Sequence, residues 1–127
     1  MQKKIQKILM LLKKKKIELS TAESCTGGML AQAITSISGA SRVFKFGIVT
    51  YSNQSKTKYL KVPSKIIKRY GAVSEECCHS MLKNLSKISK TNINIVTTGI
   101  AGPTGGSKLK PIGLVYIDIK NKKKIMV

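Results

Sequence analysis

Thr21, Ala22, Glu23, Ser24, Cys25, Thr26, Gly27 and Gly28 crowd hydroxyls, a carboxylate, a thiol and two glycines between a strand-like apolar run and a helix-like one. A turn of this kind presents backbone N–H groups at a helix N-terminus, where they hold an anion or a developing oxyanion. Ser24 stands where a nucleophile would stand, so the turn fits either a phosphate cradle or an acyl-transfer site. A second stretch, Thr98-Gly99-Ile100-Ala101-Gly102-Pro103-Thr104-Gly105-Gly106-Ser107, has four glycines in ten residues. That is enough backbone freedom to wrap a phosphate or ribose. Each stretch follows a strand-like run, so both can lie at the carboxyl edge of one sheet, where open α/β folds bind ligands. Neither matches a P-loop or a GxGxxG fingerprint. Either alone would pass for a flexible connection; two in one small domain favour a binding site.

A serine nucleophile needs a proton acceptor. His79, the only histidine, falls inside a helix-like segment far from either polar loop in sequence, which fits a solvated or core residue better than a Ser-His-Asp triad. Serine hydrolases also use lysine, which becomes a base when burial or cationic neighbours lower its pKa. The segment Tyr51-Ser52-Asn53-Gln54-Ser55-Lys56 offers a lysine beside a tyrosine, although spacing alone does not single out Lys56. Cys25 competes as a nucleophile of higher intrinsic reactivity; without a histidine partner it reads as a small packing residue. Glu23 fits either a cap on the following helix or a group that orients a substrate amide, and Glu75 and Glu76 fit helix-start charges.

These residues need elements to hold them. Apolar Ile5, Ile8, Leu9 and Leu12 recur at helical spacing over residues 2–16. Residues 17–20 read as a short strand entering the polar turn, 28–37 as a buried helix ended by Gly39, and 44–51 as a strand. Residues 53–60 form a short helix and 63–70 another, with Pro63 in its first turn. Ser74 then reads as the N-cap of a helix to about residue 88, with Glu75 and Glu76 in its first turn. Strands are expected at 92–98 and 112–119, a loop at 99–110 between them, and the start of a further strand at 123–127. Strands alternating with helices predict one α/β domain, residues 1–127, with a mostly parallel or mixed central sheet.

Hydrophobic residues make up 42% of the 127-residue chain, enough for a core. Net charge is +19, from 24 Lys and Arg against 5 Asp and Glu. Such a field attracts phosphates, nucleic acid and acidic membranes. Yet the lysines are scattered, arginine occurs only at 42 and 69, and aromatics are 5%. Arginine forks and stacking platforms are therefore missing, which leaves non-specific contact as the only nucleic-acid reading. Three cysteines, two of them adjacent, make no disulfide framework, and one histidine completes no zinc spacing. The apolar run at residues 8–12 is too short to span a membrane. A cytoplasmic protein without metal or cofactor is expected.

Taken in order, Ala22-Glu23-Ser24-Cys25-Thr26-Gly27-Gly28, Tyr51-Ser52-Asn53, Gly71-Ala72-Val73-Ser74-Glu75-Glu76 and Thr98-Gly99-Ile100-Ala101-Gly102-Pro103 resemble the CinA C-terminal domain family. Gly105-Gly106, Lys110-Pro111-Ile112-Gly113 and Val115-Tyr116 continue the likeness, which spans about residues 5–119. The resemblance implies a three-layer α/β/α sandwich, usually a homodimer. It also implies a nicotinamide-nucleotide amidohydrolase, which converts nicotinamide mononucleotide to nicotinate mononucleotide and ammonia in pyridine nucleotide recycling.

Carried onto this sequence, Ser24 would attack the carboxamide carbon, Lys56 would accept its proton and Tyr51 would relay a proton to the departing ammonia. Glu23, Cys25, Thr26, Gly27 and Gly28 would form the oxyanion and substrate-binding turn. Gly102, Pro103, Thr104, Gly105, Gly106 and Ser107 would hold the ribose phosphate. Thr104 stands where the family commonly has glycine, and Phe46 where it has a small residue. The family pattern continues past residue 123 into a helical region with a site arginine that no position here matches; without that layer one sheet face is expected to lie open. The alternatives are a nucleotide-binding remnant with weak catalysis and a basic nucleic-acid-associated protein.

Overall fold

The computed structural model describes residues 1–122. The chain runs α1 (Gln2–Lys14), β1 (Leu19–Glu23), α2 (Met29–Thr35), a single 3-10 turn (Ala40–Arg42), β2 (Phe44–Val49) and α3 (Asn53–Leu60). It continues through α4 (Ser64–Tyr70), α5 (Glu75–Ser89), β3 (Ile93–Gly99) and β4 (Val115–Asn121). The strand expected to begin at residues 123–127 lies outside the described residues. Among the described residues no helix is long and apolar enough to cross a membrane.

The four strands form one mixed sheet in the order β2-β1-β3-β4, with β1 parallel to both neighbours and β4 antiparallel to β3. Every residue of β1 is buried, as a central parallel strand covered on both faces must be. On one face Leu9 and Leu12 of α1 and Ile34 of α2 pack with Leu19, Ile93 and Ile95. On the other, Cys77, Cys78, Met81, Leu82 and Leu85 form the apolar stripe of α5 against Ala22, Val96 and Tyr116, with Leu60 and Val62 beside them. The result is the three-layer α/β/α arrangement. Ser74 caps α5, its hydroxyl accepting the N–H of Cys77 at 3.1 Å.

The strands β1 and β4 depart furthest from the sequence reading. Ile17 belongs to the end of α1: its N–H returns to the Leu12 carbonyl (2.9 Å) and Lys16 takes a left-handed φ of 56°, a Schellman-type stop. The strand therefore starts at Leu19, and Thr21 to Glu23, expected in the turn, are paired strand residues. In the same way residues 112–114 belong to the loop before β4. Gly113 (φ 91°) donates to the Ile100 carbonyl at 2.7 Å and Leu114 to that of Pro111 at 3.1 Å.

Chain order puts the carboxyl ends of β1, β2 and β3 at one edge. The β1–β2 connection leaves β1 on one side and the path through α3, α4 and α5 returns on the other, so the gap between β1 and β3 is the topological switch point where such sheets open a crevice. At β4, Tyr116 joins the core beneath α5, whereas Val115, Ile117 and Ile119 lie opposite and are exposed, Ile117 by 65%.

Candidate functional site

The crevice holds a cavity of about 320 Å³, within the range of small-ligand sites. Ser24 and Cys25 reach it from the end of β1, and Tyr51, Asn53 and Lys56 from the junction of β2 with α3. Ala72 and Val73 form a third wall in the α4–α5 connection, and the loop after β3 closes the fourth side. A larger groove of about 490 Å³ between α3 and α4 shares Asn53 with it but contains neither Ser24 nor Lys56.

Ser24 is the first residue past β1. Its N–H still bonds the Thr97 carbonyl at 3.1 Å, continuing the sheet pairing, and its carbonyl accepts the N–H of Gly27 at 3.0 Å. The side chain is therefore fixed at the floor of the crevice and buried. Gly27 and Gly28 have φ of 61° and 102°, the left-handed conformations that let the chain reverse from strand into α2. Because its N–H closes this turn, Gly27 is not an oxyanion donor, contrary to the sequence expectation. The N–H groups of Cys25 and Thr26 belong to the same turn and lie near enough to the Cys25 sulfur to pull its pKa down.

Glu23 fills the first of its two expected roles. Its buried carboxylate accepts the N–H groups of Leu30 (2.8 Å) and Ala31 (3.0 Å) and the hydroxyl of Thr26 (2.6 Å). It thus satisfies the start of α2 from inside and does not line the cavity. The helix end expected to hold an anion is already occupied by this carboxylate. Thr26, also bonded to the Thr97 hydroxyl at 2.9 Å, contributes its backbone to the turn and its side chain to the support beneath it.

Lys56 is 1% exposed, the largest fully buried side chain among the described residues. Its ammonium donates to the carbonyls of Thr50 (2.9 Å) and Tyr51 (3.3 Å). Burial pulls its pKa below the ordinary 10.5, against the opposing influence of the Cys77 and Cys25 thiols. Lys56 and the buried Ser24 line the same cavity, where an amine of lowered pKa is a candidate general base. Tyr51 lies at the cavity mouth with its ring largely exposed. Burial pushes the Cys25 thiol up, more than its own N–H, that of Thr26 and the Lys56 charge pull it down. Cys77 is raised, and Cys78 is pushed up to about 12, both chiefly by burial.

Of the second loop, Gly102, Thr104 and Gly105 line the cavity. Pro103, Gly106 and Ser107 do not: Ser107 closes a turn with Lys110, donating its N–H at 2.8 Å and accepting that of Lys110 on Oγ at 3.0 Å. At the root of the loop, a Cβ added to Gly99 would stand 2.5 Å from the Leu114 carbonyl oxygen and 3.0 Å from the Cys25 sulfur. Gly99→Ala should therefore force β3 and β4 apart, at a cost of about 1–3 kcal/mol. Thermal unfolding should show a midpoint lowered by about 5 °C; an unchanged midpoint would contradict this packing.

His79 is exposed on α5, paired with Asp118 at 3.3 Å, in agreement with the solvated reading. Among the described residues no group of His, Cys, Asp and Glu is placed to hold a metal ion. The wall at Ala72 and Val73 was not assigned to the site from the sequence, though Gly71-Ala72-Val73 lay within the segments carrying the resemblance. Thr98 ties it down, donating its hydroxyl to the Ala72 carbonyl at 2.9 Å.

The family model described as the CinA C-terminal domain matches residues 1–127. A CinA-like protein of Fusobacterium nucleatum is 53% identical over 116 residues, 91% of this chain and 28% of its own length. The chain thus spans less than a third of the length of the curated relatives it matches. Among solved structures, the competence/damage inducible protein CihA from Agrobacterium tumefaciens superposes with a TM-score of 0.93 at 39% identity, covering 95% of this chain and 73% of that one. A competence-damaged protein (CinA) superfamily protein from Escherichia coli gives 0.87 at 33% identity, covering 93% and 69%.

Proposed function

Because the chain belongs to the CinA C-terminal domain family, we propose that it is an amidohydrolase that converts nicotinamide mononucleotide to nicotinate mononucleotide and ammonia. The observation that carries this reading is a buried serine and a buried lysine of lowered pKa in one cavity at the switch point of the sheet. Substrate and reaction come from the resemblance; the cavity supplies groups suited to them.

In the proposed reaction the Ser24 oxygen attacks the carboxamide carbon as its proton passes to neutral Lys56. The N–H groups of Cys25 and Thr26 receive the tetrahedral oxyanion, each such donor being worth about 3 kcal/mol in the transition state. Collapse breaks the C–N bond. Ammonia leaves with the proton held by Lys56, delivered directly or through Tyr51, and the acyl group stays on Ser24 as an ester. Water then attacks the ester carbonyl, Lys56 takes its proton, and breakdown returns that proton to Ser24 and frees the acid. Gly102, Thr104 and Gly105 face the ribose phosphate, and the positive charge of the chain draws the anionic substrate in. The resemblance extends the proposal to a homodimer in the cytoplasm.

Incubation with nicotinamide mononucleotide in ¹⁸O-labelled water tests the reading. Free ammonia and a single ¹⁸O atom in the product carboxylate are expected from one turnover. Saturable binding without ammonia release would discard the amidohydrolase and leave a nucleotide-binding protein. Tight, salt-sensitive DNA binding with no affinity for the mononucleotide would point to the nucleic-acid alternative.

A further inference from the structure

We infer that Lys110 is a positioning residue that sets the width of the cavity by latching the glycine-rich loop onto the α4–α5 connection. It touches neither Ser24 nor Lys56, and it lies outside every role the family resemblance assigned. Its ammonium donates to the carbonyl of Tyr70, the last residue of α4, at 2.6 Å. The final carbonyls of a helix lack internal partners and carry the negative end of its dipole, so a cation there is favoured twice over.

The next residue, Gly71, has φ 85°, and a Cβ on it would stand 2.9 Å from the Lys110 nitrogen. The ammonium therefore lies directly against the bare backbone of Gly71. The next two residues, Ala72 and Val73, form a wall of the cavity.

The other end of the latch is equally fixed. Lys110 and Ser107 exchange two hydrogen bonds, which close the turn that carries Lys110. Ile112 packs so tightly beneath Gly102 and Gly106 that a Cβ on either would stand 2.6–2.7 Å from its side chain. Gly102 and Gly105, on the cavity side of the same loop, form the opposite wall. A continuous line of contacts thus runs from one wall through Ile112, Lys110 and the Tyr70 carbonyl to the other. The Thr98–Ala72 bond ties the two at the root of the loop; Lys110 ties them further out. A wall free to drift by an ångström would lose the substrate's remote end before it disturbed the reacting atoms.

The inference rests on the proposed reading for its kinetic consequence but not for its structural one. Lys110→Met keeps the stem and removes the ammonium, and Lys110→Arg restores a cation. In the full chain, Lys110→Met should raise both Kd and KM for nicotinamide mononucleotide about tenfold, the weight of one charge-assisted hydrogen bond. The turnover number should stay within about threefold, and Lys110→Arg should recover most of the affinity. Unchanged Kd and KM in Lys110→Met, or a turnover loss that arginine does not restore, would overturn the latch.

Amide hydrogen exchange provides the readout that does not depend on substrate. Ala72 and Val73 should exchange about tenfold faster in Lys110→Met, with α1 and β2 unaffected. Equal exchange would overturn the latch even in a protein that turns over. Faster exchange in Lys110→Met, with a wild type that neither binds nor hydrolyses the mononucleotide, would keep the latch and discard the function.

Discussion

Ser24→Ala is expected to abolish ammonia release from nicotinamide mononucleotide, with turnover falling by at least about 10⁴-fold. The size of the loss follows from covalent chemistry: without the hydroxyl there is no acyl intermediate, and what survives is water attack assisted by the oxyanion donors alone. Fold and affinity should be nearly intact. Ser24 makes its structural hydrogen bonds through its backbone, to Thr97 and Gly27, and alanine keeps both. Dissociation constants measured by calorimetry should agree within about threefold, since no side-chain bond to bound substrate is required of the nucleophile. Equal turnover in the two proteins would show that Ser24 is not the nucleophile, and Cys25 would take its place as the group to test.

Lys56→Met should be nearly as damaging to turnover, by about 10³-fold, at the upper part of the range for loss of a general base. Its effect on stability should have the opposite sign. A buried ammonium costs desolvation energy that two carbonyl acceptors only partly return, and an unbranched thioether of similar length fills the space without a charge. The thermal midpoint should therefore stay level or rise while activity disappears.

The pH dependence distinguishes this from simple damage. Neutral Lys56 is the base, so wild-type turnover should climb with pH along a limb centred below 10.5. Linkage gives stability the same direction. Between the lowered folded pKa and 10.5 the unfolded chain binds more protons at Lys56 than the folded one, so the Lys56 contribution to stability rises with pH across that window, opposed above 9.0 by the raised Cys25, Cys77 and Cys78 thiols. The Lys56 contribution to both slopes should be absent in Lys56→Met. A wild-type rate that fell with rising pH through this range would remove Lys56 from the role of base.

Much of this architecture was legible from local pattern. The α3 helix begins and ends where Asn53 and Leu60 suggested, and the Ser74 cap and acidic first turn of α5 stand as expected. The central strand was misplaced for a physical reason. Thr21 and Glu23 are polar and buried, and a reading by hydropathy sends such residues to a turn. The burial of Glu23 is stabilised by partners the strand does not contain, namely the N–H groups of Leu30 and Ala31 seven and eight residues onward, whereas the Thr21 hydroxyl is buried without a hydrogen-bond partner.

Lys56 posed the converse problem. Its burial sets it apart from the other lysines, and burial is a property of the assembled layers; only the likeness to a family picked it out beforehand. The glycines of the second loop announced close approach correctly. What they approach is largely Ile112 and the Leu114 carbonyl, so half of that loop supports the other half.

The carboxylate of Glu23 makes substrate and product distinguishable by charge. It is fully bonded, it caps α2 permanently, and its field reaches Cys25. On the proposed reaction a neutral carboxamide enters beside it at little electrostatic cost, and the negative charge of the tetrahedral stage is brief and held by two dipoles. The acid formed at the end bears a lasting negative charge in the same place, with a second carboxylate nearby and the helix end already taken. Release of that acid is thereby favoured over its retention.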